Sequence, residues 1–206
     1  MKKVLLLIIS AFIMVGMPSC KKAMKNMFNE IGHSTGMDGS KEIADMQSLA
    51  DVKETLLSKC DIEKMPVYAI NLFESQECTG RAIHTTVYLV NADKTQTYNQ
   101  SFFFNGNISE LDSNSDDPTV ISPIDLKALD MNTIYKGIED AKSQIPDGYT
   151  YKTVRNMIIK DGVTRITMAV TKDGEETVTN AGQTSEVYYD AVYNIDNATG
   201  KATFVD

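Results

Sequence analysis

The chain has no tryptophan, only two histidines and three cysteines, and five prolines in 206 residues. Imidazole chemistry is therefore confined to His33 and His84. His33 sits in a glycine-rich arm, and His84 lies mid-strand with no Ser or Cys in a recognisable motif beside it. There is no H-E-x-x-H, no G-x-S-x-G, no G-x-x-x-x-G-K-[ST] and no paired C-x-x-C. That excludes the motif-bearing forms of zinc proteases, serine hydrolases, P-loop NTPases and dithiol oxidoreductases. Cys60 and Cys78 lack the ligand spacing of a zinc site. Asp112, Asn114 and Asp116 have the alternate spacing of a calcium loop, but the sixth position is Asp117 rather than Gly and the twelfth is Pro123 rather than Glu. No metal and no cofactor is expected. Basic residues are outnumbered, 20 Lys and Arg against 28 Asp and Glu, and no basic stripe exists, which argues against nucleic acid as a partner. Long apolar runs are also missing. The one substantial run, Val4–Met17, is shorter than the ~18–20 residues a bilayer span needs and is interrupted by Gly16.

What is present begins with that short run. Lys2 and Lys3 precede it and Pro18-Ser19-Cys20 follow it. A charged start, a short apolar core and a small residue before the cut describe an export signal over residues 1–19. Met17-Pro18-Ser19-Cys20 resembles the lipobox of bacterial lipoproteins, with Met in place of the usual Leu and an unusual Pro. The resemblance implies cleavage before Cys20 and acylation of its thiol, palmitate included, so that Cys20 is the lipidation site and the membrane is a partner through its anchor. Loss of Lys2 and Lys3 with the leader takes the formal net charge from −8 to −10. Lys21 stands where enteric lipoproteins retained in the inner membrane carry Asp, so the analogy favours the outer membrane, with the chain facing periplasm or surface. Residues 20–40 then read as a flexible tether. Lys21, Lys22 and Lys25 beside the anchor suit anionic headgroups, at about 1 kcal/mol each.

The remainder alternates between two periodicities. In 41–60, Ile43, Met46, Leu49, Val52, Leu56 and Cys60 recur at three- and four-residue spacing, which predicts an amphipathic helix. Strands are expected over 67–73, with Tyr68, Ile70 and Leu72 on one face, over 81–90 and over 95–104, with a short fourth one at 108–111 after the Asn105-Gly106 turn. The polar, acidic stretch 113–121 reads as a linker. Ser122-Pro123-Ile124-Asp125 predicts a second helix start, the helical region continuing with a break near Asp130 through Ile134, Ile138 and Ala141 and stopping before Pro146. Strands return over 149–160, 163–171 and 186–195, with a longer loop at 172–183, and 201–205 closes the chain. A Cys60–Cys78 disulfide is disfavoured by geometry. The strand after Cys60 runs away for roughly nine residues, about 30 Å at ~3.3 Å each.

Both halves run helix, strand, hairpin, strand, strand. The expectation is an α+β protein of two tandem units, 41–112 and 122–206, each a helix packed on an antiparallel sheet of three to four strands. This order behind a lipobox resembles Bacteroidetes-like cell-envelope lipoproteins with PepSY-like or β-lactamase-inhibitor-like helix-on-sheet units. The resemblance implies protein binding rather than catalysis.

No catalytic residue is identified. The binding candidates are aromatic residues facing away from the strand core, Phe103 in the first half and Tyr188 in the second. The function expected is a non-enzymatic, membrane-anchored binding module for an envelope protein or ligand. The alternatives are an enzyme with a dispersed site around His84 and a structural spacer lipoprotein.

Overall fold

The computed structural model describes residues 39–75, 79–180 and 183–205. The expected leader, Cys20, the expected tether as far as residue 38, and Cys78 lie outside the described residues.

Lys41–Glu42 (β1) pairs with Arg81–Ala82 (β3) as a small ribbon. The helix between them, α1, spans Met46–Lys59. It starts at Asp45, whose carboxylate accepts from the Ser48 amide at 2.8 Å and so satisfies one of the free N–H groups of the first turn. Val67–Phe73 (β2), His84–Val90 (β4), Thr97–Phe103 (β5) and Asp112–Asn114 (β6) follow as a meander. The second helix, α2, spans Met131–Ser143. Tyr149–Lys160 (β7) and Val163–Lys172 (β8) form a long hairpin, Thr177–Asn180 (β9) and Gln183–Glu186 (β10) a short ribbon, and Tyr189–Asp196 (β11) and Ala202–Val205 (β12) a closing hairpin.

The expectation of two tandem helix-on-sheet units is overturned. The main strands form one eight-stranded antiparallel sheet, ordered β12-β11-β8-β7-β2-β4-β5-β6, in a mostly β protein. The first long strand of each half meets the other at the centre, in the register Ala69↔Lys160, Ile70↔Ile159, Asn71↔Ile158, Leu72↔Met157 and Phe73↔Asn156. The physical reason lies in β2. Its sequence, VYAINLF, is buried at every position but the last, as a central strand covered on both flanks must be. A strand of that kind at the edge of a small unit would leave its apolar groups and its ladder unpaired.

One core cluster joins both helices to one face of the sheet. Leu49, Val52 and Leu56 of α1 and Ile134, Ile138 and Ala141 of α2 pack on Ile70, Leu72, Val87, Met157, Ile166, Met168 and Tyr193. α2 approaches β11 closely at Gly137, where an added Cβ would stand 2.1 Å from Ile195 Cγ2 and 3.1 Å from the Gly200 carbonyl oxygen.

Four local expectations are also corrected. Residues 113–114, placed in a linker, belong to the edge strand β6 with Asp112, pairing Thr97↔Asn114 and Asn99↔Asp112. The second helix begins at Met131 rather than near Ser122. Asp130 caps it, accepting from the Asn132 amide at 2.9 Å, while Asp125 closes only a turn to Leu129. The 172–183 loop contains β9 and continues into the ribbon formed with β10. Finally, a bulge between Val67 and Ala69 turns Tyr68 away from Ile70 and Leu72. Tyr68 instead joins Ala69, Val90 and Ile121 in a second small cluster on the opposite side of the sheet.

Candidate binding face

That opposite side carries no α-helix among the described residues, only a short 3-10 turn at Pro118–Val120. Alternation along each strand assigns its side chains, and the registers align them in rows. One row crosses Phe103, His84, Phe73, Asn156, Thr167 and Val192. Beside it runs Ser101, Thr86, Asn71, Ile158, Arg165 and Asn194. A third row includes Asn99, Tyr88, Ala69 and Lys160. The face is therefore mixed in polarity and eight strands wide, with the 116–121 segment covering only its Tyr68 end through Ile121.

Three adjacent strands carry polar atoms that are buried without a hydrogen-bond partner, namely Asn71 Oδ1 on β2, Asn156 Oδ1 on β7 and His84 Nδ1 on β4. Asn71 is 8% exposed, and its amide nitrogen reaches only Tyr88 Oη at 3.5 Å. An unsatisfied acceptor of this kind costs about 1–3 kcal/mol, and most are eliminated from native structures. Burial lowers the pKa of His84, because desolvation penalises the imidazolium. Its ring lies tilted on Phe103 at a centroid distance of 5.1 Å. Phe73, between His84 and Asn156 in the row, is 46% exposed.

Phe103 and Tyr188, the two aromatic candidates from sequence, both lie toward the end of the sheet marked by Phe73 and Glu74, on opposite flanks. Phe103 is half-buried against His84. Tyr188 is 37% exposed, just ahead of β11, and donates to the Glu186 carboxylate. Burial and that carboxylate push its hydroxyl up to about 12. Between the two flanks Arg155 bridges Glu74 at 2.5 Å and Asp190 at 3.1 Å. The Glu74 bond, the largest influence, raises the guanidinium's pKa further.

At the other end of the face the Tyr68 hydroxyl donates to Asp116 at 2.7 Å and accepts from Asn114 Nδ2 at 2.9 Å. Two of the three side chains with calcium-loop spacing are thus turned inward to hold the edge strand. No cluster of three or more His, Cys, Asp or Glu able to hold a metal ion occurs among the described residues. The Cys60 thiol is half-buried at the end of α1, and burial raises its pKa to about 11, which keeps it a weakly reactive thiol. On the helical side, a depression of about 300 Å³ lies between α1 and the β5 end, lined by Lys41, Asp51, Phe102 and Ile108. A shallow groove of about 480 Å³ runs between the helices past Ala50, Leu57 and Met131. Ser75 Oγ, Thr171 Oγ1 and, in the helical-side core, Tyr193 Oη are likewise buried and unpaired, but only the uncovered face gathers three such atoms on adjacent strands, and that sets it apart as the candidate.

No family model, no curated protein and no solved structure matches the chain.

The sequence pointed to Phe103 and Tyr188 as candidates, and Asn71, Phe73, Asn156, Lys160 and Arg165, which share the face, were not among them. One signal was there to read. Asn71 is the only amide in the otherwise apolar run of β2, a position where a buried polar group needs a reason.

Proposed function

We propose that this chain is a non-enzymatic binding module of the bacterial cell envelope, anchored in the outer membrane through acylated Cys20, which takes a partner on the uncovered face of its sheet. The observation that carries the reading is the set of unpaired buried acceptors, Asn71 Oδ1 and Asn156 Oδ1 with His84 Nδ1, on three neighbouring strands of one face. A partner that parts the side chains covering these atoms and supplies N–H or O–H donors removes their cost. The half-exposed rings of Phe73, Phe103 and Tyr188 add apolar area around those acceptors. Acyl chains on Cys20 contribute about 0.8 kcal/mol per buried methylene, so more than one chain makes the anchor effectively permanent.

Two measurements test this together. A Cys20→Ala variant is expected to leave the membrane fraction and to lose incorporation of labelled palmitate. If it still partitions into membranes, the anchor assignment is wrong. In the native membrane, a photo-crosslinking side chain placed at Phe103 or Tyr188 is expected to capture a discrete envelope protein, while the same group at Lys136, exposed on α2, captures none. Equal yields at all three positions overturn the face as the binding surface.

A further inference from the structure

The uncovered face differs in charge from the chain as a whole. Most of its carboxylates are already engaged, the exposed Asp161 of the β7–β8 turn excepted. Glu74 and Asp190 are held by Arg155, Asp116 by Tyr68 and Asn114, and Asp196 by the Ala198 and Thr199 amides of its own turn. Asp112 lies four strands from β7, at the sheet edge. Its cations are not all engaged. Lys160 on β7 and Arg165 on β8 are exposed, and among the described residues neither side chain forms an ion pair or hydrogen bond. Lys160 instead stands over the Tyr68 ring at 6.0 Å.

The register makes these two charges neighbours of the orphan amide. Arg165 faces Ile158, and Ile158 faces Asn71, all on one side of the sheet. Lys160 is the next residue along β7 on that same face. Asn194 flanks Arg165 on the other side, from β11. The middle of the face therefore combines two free cations, an unpaired acceptor nine-tenths buried, and the apolar groups of Ile158 and Phe73.

We infer that the partner taken by this face is a protein that presents an acidic, extended segment, whose carboxylates meet Lys160 and Arg165 while its backbone N–H groups satisfy Asn71 and Asn156. The inference rests on the binding-module reading above and adds the partner's chemistry. A chain of net charge −8 repels acidic partners at long range. Attraction is then local, and the free cations lie with the buried acceptors within three adjacent rows of the face. An anionic membrane surface would match the cations but leave the recessed Asn71 oxygen without a donor. An acidic polysaccharide would supply donors but has little use for aliphatic Ile158 between them. A polypeptide segment satisfies the three features at once.

The test uses the full chain in detergent with poly-L-glutamate as the probe, and poly-L-lysine, polygalacturonate and phosphatidylglycerol vesicles for comparison. Poly-L-glutamate is expected to bind, and the double variant K160E/R165E to weaken it by about tenfold or more. K136E, on the helical side, should leave binding unchanged. Both variants alter exposed side chains, so their circular dichroism and melting should match the parent. Poly-L-glutamate should also displace the photo-crosslinked envelope protein. If K160E/R165E binds as tightly as the parent, or if polygalacturonate or the vesicles are preferred, the acidic-segment inference is overturned. Crosslinks at Phe103 or Tyr188 that poly-L-glutamate cannot displace overturn that inference alone. Absence of selective crosslinks overturns the binding-module reading beneath it.

Discussion

Replacing Asn71 with Leu should make the protein more stable and less able to bind. Asn71 is 8% exposed, its Oδ1 has no partner, and its amide nitrogen makes one long contact of 3.5 Å to Tyr88. Leu has the same branching, so it fills the same space between Thr86 and Ile158 in the row. Removing the orphan acceptor returns about 1–3 kcal/mol, and losing the marginal hydrogen bond costs about 0.5–1 kcal/mol, so a net gain of roughly 1 kcal/mol is expected. In a domain of this size that raises Tm by about 2–4 °C. Urea unfolding followed by circular dichroism should show a higher midpoint at unchanged slope. Capture of the envelope partner should fall in the same variant, because the acceptor that the partner satisfies is gone. An Asn71→Leu variant less stable than the parent would refute the reasoning, since it would mean that the amide is already satisfied in the folded state. Gains in both stability and capture would refute the link between the orphan atom and binding. A natural sequence that keeps such an atom against its own stability is consistent with a site retained for function.

Two further outcomes follow from the packing and the titrating groups. Gly137→Ala adds helix propensity worth about 1 kcal/mol, but the new Cβ falls 2.1 Å from Ile195 Cγ2, a side chain with no exposure and no room to turn. Overpacking of about 2–3 kcal/mol wins, so the urea midpoint should drop, and G137A/I195A should lose less than the two single losses added; a midpoint at or above the parent's would show that α2 can shift outward freely. For His84, burial lowers the folded-state pKa below the ordinary 6.5, so the unfolded chain binds the proton more readily. Stability is complete above about pH 6.5 and falls as pH drops through that value towards the lower folded one. His84→Phe should flatten the stability profile between about pH 7 and 5, and a slope equal to the parent's would show that His84 is not the titrating group.

Local features were legible because their causes are local. The alternation of Ile166, Met168 and Val170 placed β8, and these three residues are buried on the helical side. Asp161-Gly162 announced the β7–β8 hairpin, and both residues adopt positive φ there, 51° and 75°. The α1 stripe of Leu49, Val52 and Leu56 is buried as its spacing requires. Phe103 and Tyr188 were named because alternation put aromatic residues on the flank away from the expected core; Phe103 does lie in β5, but Tyr188 falls in the break between β10 and β11 rather than in the strand expected over 186–195. The bulge at Tyr68 was not legible, since one inserted residue changes the facing of a side chain without changing the composition of the strand. The helix start at Asp130 was legible only as a break within a longer helical region, because Ser122-Pro123 and Asp125 make an equally good local cap and only the packing of Met131 and Ile134 chooses between them.

The sequence by itself determined the long strands, the β7–β8 hairpin turn, the stripe of α1, and the motif at Cys20 from which the anchor is proposed, but not the short strands β6 and β9 nor the expected strand at 108–111, which is only an isolated bridge of Ile108 to Phe102. Tertiary structure decided that β2 and β7 pair, which turns two expected units into one sheet. A strand's pattern specifies which of its sides is apolar but not which distant strand completes its ladder, because backbone hydrogen bonds are the same for every neighbour. That pairing also created the candidate site. Asn71, Asn156, Lys160 and Arg165 belong to three strands, two of them from the second half of the chain, and they became one surface only when the centre of the sheet closed.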